Sequence, residues 1–145
     1  MSINGFGDDP PRICIVDDDE PFISLVEEIL GEALGAEVAC HFLELPSSPE
    51  DIEECEPELV IVDLRIGGGW SDQPVGVAFV EAMRARPGLA EVPIIVCTGD
   101  IRSLEEHGDA LRALPDVYAL RKPFGIEELE GLAARLIERR RSRGT

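Results

Sequence analysis

Lysine is almost missing from this chain. Lys122 is the only one among 145 residues, against twelve arginines. Basic residues as a whole are few: thirteen face thirty acidic ones, for a net charge of −17. A surface of that sign repels nucleic acid and anionic membrane, so neither is expected as a partner. Long hydrophobic runs are also missing. Stretches such as Leu59 to Val62 and Val92 to Cys97 are far too short to span a bilayer. Met1 to Pro10 has neither a basic region nor an apolar core, so it does not read as a signal peptide, and a cytoplasmic location is expected. The four cysteines, Cys14, Cys40, Cys55 and Cys97, have no metal-ligand or redox-motif spacing and read as small hydrophobes. His41 and His107 are isolated, with no metal or catalytic role expected. Gly67-Gly68-Gly69 is not followed by Gly-Lys-Ser/Thr, which excludes a P-loop. Asp17-Asp18-Asp19-Glu20 lacks the spacing of a calcium loop.

What is present is a 44% hydrophobic chain of one-domain length, able to bury a sizeable core. Arg12 to Val16, Ala36 to Phe42, Leu59 to Val62, Val92 to Cys97 and Val117 to Leu120 read as strands. Helices are expected over Pro21 to Leu34, with Phe22, Leu25, Val26, Ile29 and Leu30 inward and Gly35 as the stop. Further helices are expected over a short acidic stretch capped by Ser48, over Val75 to Arg86, Ile101 to Leu114, and Ile126 to about Arg141. Strand runs that are apolar throughout, alternating with helices, predict a parallel doubly wound α/β sheet. Right-handed crossovers then bring every strand C-terminus to one edge, where ligands bind.

The residues at that edge are polar. The first strand ends in Asp17-Asp18-Asp19, the third in Asp63, the fourth in Thr98 and the fifth in Lys122. Clustered carboxylates repel one another unless a cation joins them. Hard oxygen ligands with room for water suit Mg²⁺. An aspartate can form an acyl phosphate, and a cation, a lysine and a hydroxyl can stabilise charge on a transferring phosphoryl group. Lys122 supplies a compact ammonium where an arginine would bring a planar fork.

In order along the chain, Ile15-Val16-Asp17-Asp18-Asp19, Val60-Ile61-Val62-Asp63-Leu64, Ile95-Val96-Cys97-Thr98-Gly99 and Lys122-Pro123-Phe124 resemble the receiver domains of two-component response regulators. The resemblance implies a flavodoxin-like (βα)5 fold with strand order 2-1-3-4-5. It divides the chain into an extension over residues 1–11, a receiver domain over 12–141 and a basic tail over 142–145. It implies that Asp63 takes a phosphoryl group from a histidine kinase or a histidine phosphotransfer protein. Mg²⁺ would be held by Asp17, Asp18, Asp63 and the backbone carbonyl of Arg65. Thr98 and Lys122 would contact the phosphoryl group, and Pro123 would follow a cis peptide bond. Output would come from binding a downstream protein target, from onward phosphotransfer or from control of a kinase, with a phosphorylation-dependent homodimer as a further partner state. No enzymatic activity is implied beyond self-phosphorylation and dephosphorylation.

Three departures from the family pattern stand out. Residues 65–74 carry an insertion of about five residues, with the glycine triplet and Trp70, of a kind surface loops tolerate. Where the family places a switch aromatic, three residues before the lysine, this chain has Ala119. Tyr118 is one residue earlier, which puts it on the other face of a strand unless a bulge intervenes. Arg65 and Asp100 flank the site with opposite charges and are candidates for an ion pair over it. These departures keep a second reading open, a pseudo-receiver that binds partners without being phosphorylated. A third reading, a phosphatase of the haloacid-dehalogenase kind, needs an aspartate two residues after the nucleophile, where this chain has Arg65.

Overall fold

The structure is a computed structural model that describes residues 9–63, 75–99 and 101–143. The inserted loop with Trp70, the Arg65 carbonyl and Asp100 lie outside the described residues. Strands β1 (Arg12–Val16), β2 (Glu37–Phe42), β3 (Leu59–Val62), β4 (Ile94–Thr98) and β5 (Val117–Arg121) alternate with helices α1 (Glu20–Leu34), α2 (Glu50–Glu53), α3 (Val75–Ala85), α4 (Ile101–Arg112) and α5 (Ile126–Arg143). All four strand pairings are parallel, in the order β2-β1-β3-β4-β5.

The uninterrupted apolar runs are explained by two cores, one on each face of the sheet. Ile13, Ile15, Leu59, Ile61, Ile95 and Cys97 pack with α1 and α5. Their neighbours Cys14, Val16, Val60, Val62, Ile94 and Val96 pack with the opposite cluster, built on Ile52, Val80, Met83 and Leu111. Successive side chains on a strand point to opposite faces, so a strand covered on both sides has no place for polar residues.

Helix α1 is well specified at both ends. The Asp19 side chain accepts from Phe22 N–H at 3.2 Å, and Gly35 adopts the left-handed conformation at φ 66° that ends the helix. Its buried stripe is Phe22, Ile23, Val26, Ile29, Leu30 and Leu34. Leu25, expected inward, is exposed because it falls just outside that stripe. In α2, Pro49 occupies the cap position with no side-chain bond, while Ser48 Oγ accepts from Glu50 N–H at 3.2 Å. That helix is a single turn anchored by the fully buried Ile52.

Strand β4 starts at Ile94, later than the Val92 expected, because Pro93 has no N–H to give a ladder. The segment before it is held by a buried arginine. Arg84 of α3 donates to the carbonyls of Leu89 (2.7 Å), Ala90 (2.7 Å), Val92 (2.9 Å) and Asp116 (3.3 Å). Helix α5 runs through Arg143. Among the described residues, no helix is long and apolar enough to cross a membrane.

Candidate functional site at the carboxyl edge of the sheet

The sheet ladder continues one residue past the strands and aligns the polar groups. Asp17 N–H donates to the Phe42 carbonyl at 3.0 Å, Asp63 N–H to Val16 at 3.0 Å, and Lys122 N–H to Thr98 at 2.9 Å. These three bonds bring Asp17, Asp63, Thr98 and Lys122 to the same edge from four strands. Asp17 and Thr98 are buried, each only 1% exposed.

Lys122 is the centre of the cluster. Its Nζ lies 2.8 Å from Asp17 Oδ2 and 3.4 Å from Asp63 Oδ2. The same Nζ sits 3.9 Å from the centre of the Phe22 ring, within cation–π range. Phe22 in turn meets Phe124 edge to face, with ring centres 6.0 Å apart. The Lys122–Pro123 peptide bond is cis, as the sequence resemblance implied. Phe22 is a site residue that the sequence reading assigned only to the core, since its place in the α1 stripe gives no sign of what faces it.

The three aspartates of the first strand end do different work. Asp17 accepts from Lys122 Nζ and, through Oδ1, from Asp19 N–H at 3.0 Å. Asp19 itself caps α1. Asp18 is exposed, and it offers an oxygen that, with one each from Asp17 and Asp63, forms a group lying within 4.8 Å of one another. Burial is the main influence on Asp17 and raises its pKa, with the Asp63 charge adding to the rise and Lys122 and the Asp19 amide opposing it. Burial works against the charge of Lys122, but the Asp17 and Asp63 carboxylates outweigh it and hold the ammonium above its ordinary value. Burial raises Asp17 and the two facing carboxylates raise Lys122, so both groups hold their protons more tightly than in water.

That negative excess is the test of fit for a divalent cation. Three convergent hard oxygens, with one ammonium too few to balance them, match the donor set that Mg²⁺ takes. Asp17, Asp18 and Asp63 would hold it.

The position of the missing aromatic is settled by β5. Its pairing to β4 runs without a bulge, Ile95 beside Tyr118 and Val96 beside Ala119. Tyr118 therefore packs on the α1/α5 core, where its hydroxyl accepts from Arg139 Nη1 at 2.9 Å. Ala119 faces the other way and lines a cavity of about 150 Å³ with Val96, Gly108, Leu111, Arg112 and Val117. Tyr118 does not substitute for the missing ring.

Known structures share this fold. The chain resembles the signal receiver domain of a DNA-binding response regulator from Colwellia psychrerythraea 34H (TM-score 0.73, 20% identity), covering 88% of this chain and 98% of that one. It also resembles a CheY-like receiver domain protein from Methanospirillum hungatei JF-1 (TM-score 0.66, 22% identity), covering 93% of this chain and 99% of that one. The chemotaxis response regulator CheY4 of Vibrio cholerae aligns with TM-score 0.64 and 23% identity, over 88% of this chain and 99% of that one. At these identities the likeness speaks to the fold. No curated protein sequence matches the chain. The family model for the response regulator receiver domain matches residues 13–134, from the first strand to the middle of α5. With that match spanning the sheet and its acidic edge, this chain belongs to the response regulator receiver domain family.

Proposed function

We propose that the chain is a phosphoacceptor of a two-component signalling system, with Asp63 as the residue modified. The observation that carries this reading is Lys122 Nζ set between Asp17 Oδ2 and Asp63 Oδ2 at the carboxyl edge of the sheet. A histidine kinase or histidine phosphotransfer protein would present phosphohistidine. An Asp63 carboxylate oxygen attacks phosphorus as the phosphorus–nitrogen bond breaks, and the imidazole leaves with the bonding electrons. Lys122 neutralises charge on the phosphoryl oxygens, and the Thr98 hydroxyl donates to one of them. Mg²⁺, when bound by Asp17, Asp18 and Asp63, supplies the remaining positive charge. The Arg65 carbonyl completes the ligand set that family resemblance implies. The signal passes by protein contact to a downstream target or through a phosphorylation-dependent homodimer, and the reading places the protein in the cytoplasm.

The test is mass spectrometry after incubation with acetyl phosphate and Mg²⁺. One phosphoryl group is expected on wild type and none on Asp63→Asn. A wild-type chain that gains no phosphate sinks the reading and leaves the second one, an interaction module that is never phosphorylated. Ala119 favours that second reading, because the ring that couples modification to the α4–β5 face in the family is absent from its position.

A further inference from the structure

Helix α4 and strand β5 meet across two small residues. Gly108 of α4 has no side chain, and Ala119 of β5 has only a methyl. The space left between them is the cavity of about 150 Å³. Its floor is sheet. Val117 and Ala119 lie two residues apart on β5 and so share a face, and Val96 of β4 pairs beside Ala119. Leu111 closes the helix side. Val96, Leu111 and Val117 are buried, whereas Ala119 is exposed, so the cavity opens to solvent along β5.

Among the described residues that line the cavity, Arg112 is the one with a charge. Its guanidinium lies against the open side of Gly108. A Cβ built there would sit 3.1 Å from Nη1 and 3.5 Å from both Cζ and Nη2. Any side chain at position 108 would press the guanidinium away, so the glycine is what lets the cation reach the cavity wall. Nη2 also pairs with Asp109, in a contact whose two side chains are largely exposed.

These walls select a ligand class. Asp109 already balances Arg112, and the chain carries a net charge of −17, so an anion gains little here. Aliphatic walls leave a cation or a strongly polar molecule without partners for its buried groups. An uncharged aromatic ring meets neither cost. Its body replaces water against Val96, Leu111, Val117 and Ala119, and its π face attracts the guanidinium. An aliphatic cavity of this size accepts a benzene-sized ring.

We propose that the α4–β5 cavity is a binding site for an uncharged single-ring aromatic molecule of about the size of phenol. The ring sits on the Val96, Val117 and Ala119 floor, against Leu111, with Arg112 over its face. Binding needs no modification of Asp63, so it stands or falls separately from phosphoacceptance.

The test is titration of the isotope-labelled full chain with phenol, followed by NMR. Saturable shifts are expected at Val96, Gly108, Leu111, Val117 and Ala119, with a Kd on the order of 1 mM. Ring protons should show NOEs to the methyls of Val96, Leu111 and Val117. Cyclohexanol has the same hydroxyl and a similar volume but no π face, and should bind about threefold more weakly or worse. Benzoate should also bind more weakly than phenol. Arg112→Gln should remove the preference for phenol over cyclohexanol. Ala119→Leu, which fills the floor of the cavity, should weaken phenol binding by about tenfold. The proposal is overturned by shifts that stay linear in phenol, by the absence of NOEs to those methyls, or by cyclohexanol or benzoate binding as tightly as phenol. A phenol preference that survives Arg112→Gln, or wild-type affinity in Ala119→Leu, overturns it equally.

Discussion

Lys122 Nζ is nearer to Asp17 Oδ2, at 2.8 Å, than to Asp63 Oδ2, at 3.4 Å, so the shorter bond goes to the more buried carboxylate. With the Phe22 ring 3.9 Å from the same nitrogen, the ammonium is enclosed by two carboxylates and an aromatic face. A point charge can serve all three partners at once, whereas a guanidinium presents a rigid plane. Lys122→Arg therefore keeps the charge and should lose phosphoacceptance, with the initial rate of labelling by acetyl phosphate falling by about tenfold or more. Labelling at the wild-type rate would mean that charge alone is enough.

Asp17→Asn should stabilise the metal-free protein. Asp17 holds its proton more tightly folded than unfolded, so the native state gains stability as pH falls through the raised value and carries a cost above it. Asparagine keeps an acceptor for Asp19 N–H and removes the buried charge. The gain should be on the order of 1 kcal/mol at pH 7, or a rise in Tm of about 3 °C in chelator. Mg²⁺ affinity should fall in the same variant. A lower Tm would show that the pair with Lys122 outweighs the burial cost.

The sheet and most of the acidic edge were legible from the sequence for a physical reason. A strand buried on both faces has few polar residues until it leaves the core, so the polar groups at the ends of four runs, Asp17, Asp63, Thr98 and, just past Arg121, Lys122, mark the ligand-binding edge. Patterning within one element says which way a side chain faces but not what it meets. Phe22 therefore read as ordinary core, although it covers Lys122. Arg84 carries no sign of its role in the helix pattern, although it ties four carbonyls together in the interior. The pairing of Cys14 with Cys40 depends on one extra residue, Ala39, which hydrophobic spacing does not register.

Ala119 and Tyr118 make the switch position testable. Tyr118→Phe removes the hydroxyl that joins Arg139 and lies 3.4 Å from Asp116 Oδ1. It should cost about 1 kcal/mol or less in urea unfolding and leave labelling of Asp63 unchanged. Ala119→Phe should place a ring in the cavity lined by Val96, Leu111 and Val117, raising stability by about 1 kcal/mol. An unchanged Tm would mean that the new ring stays in solvent.

The closing helix is held at its end by Arg141, whose Nε and Nη2 meet the two Glu58 oxygens at 2.7 and 2.8 Å and whose Nη2 also donates to the Asp9 carbonyl at 3.0 Å. Burial alone would push Glu58 up, but the arginine outweighs it and holds the carboxyl below its ordinary value. A depressed carboxylate adds stability that is present above its unfolded pKa and is lost as pH falls through its folded one. Arg141→Ala should then cost roughly 1–3 kcal/mol at pH 7, since it leaves a half-buried carboxylate without its fork. The difference between wild type and Arg141→Ala should shrink as Glu58 is protonated below the ordinary carboxylate range. Urea unfolding of both proteins across that pH range measures it. A gap that stays constant into acid would place the stabilisation in the packing of the Arg141 stem and its bond to Asp9, and not in the ion pair.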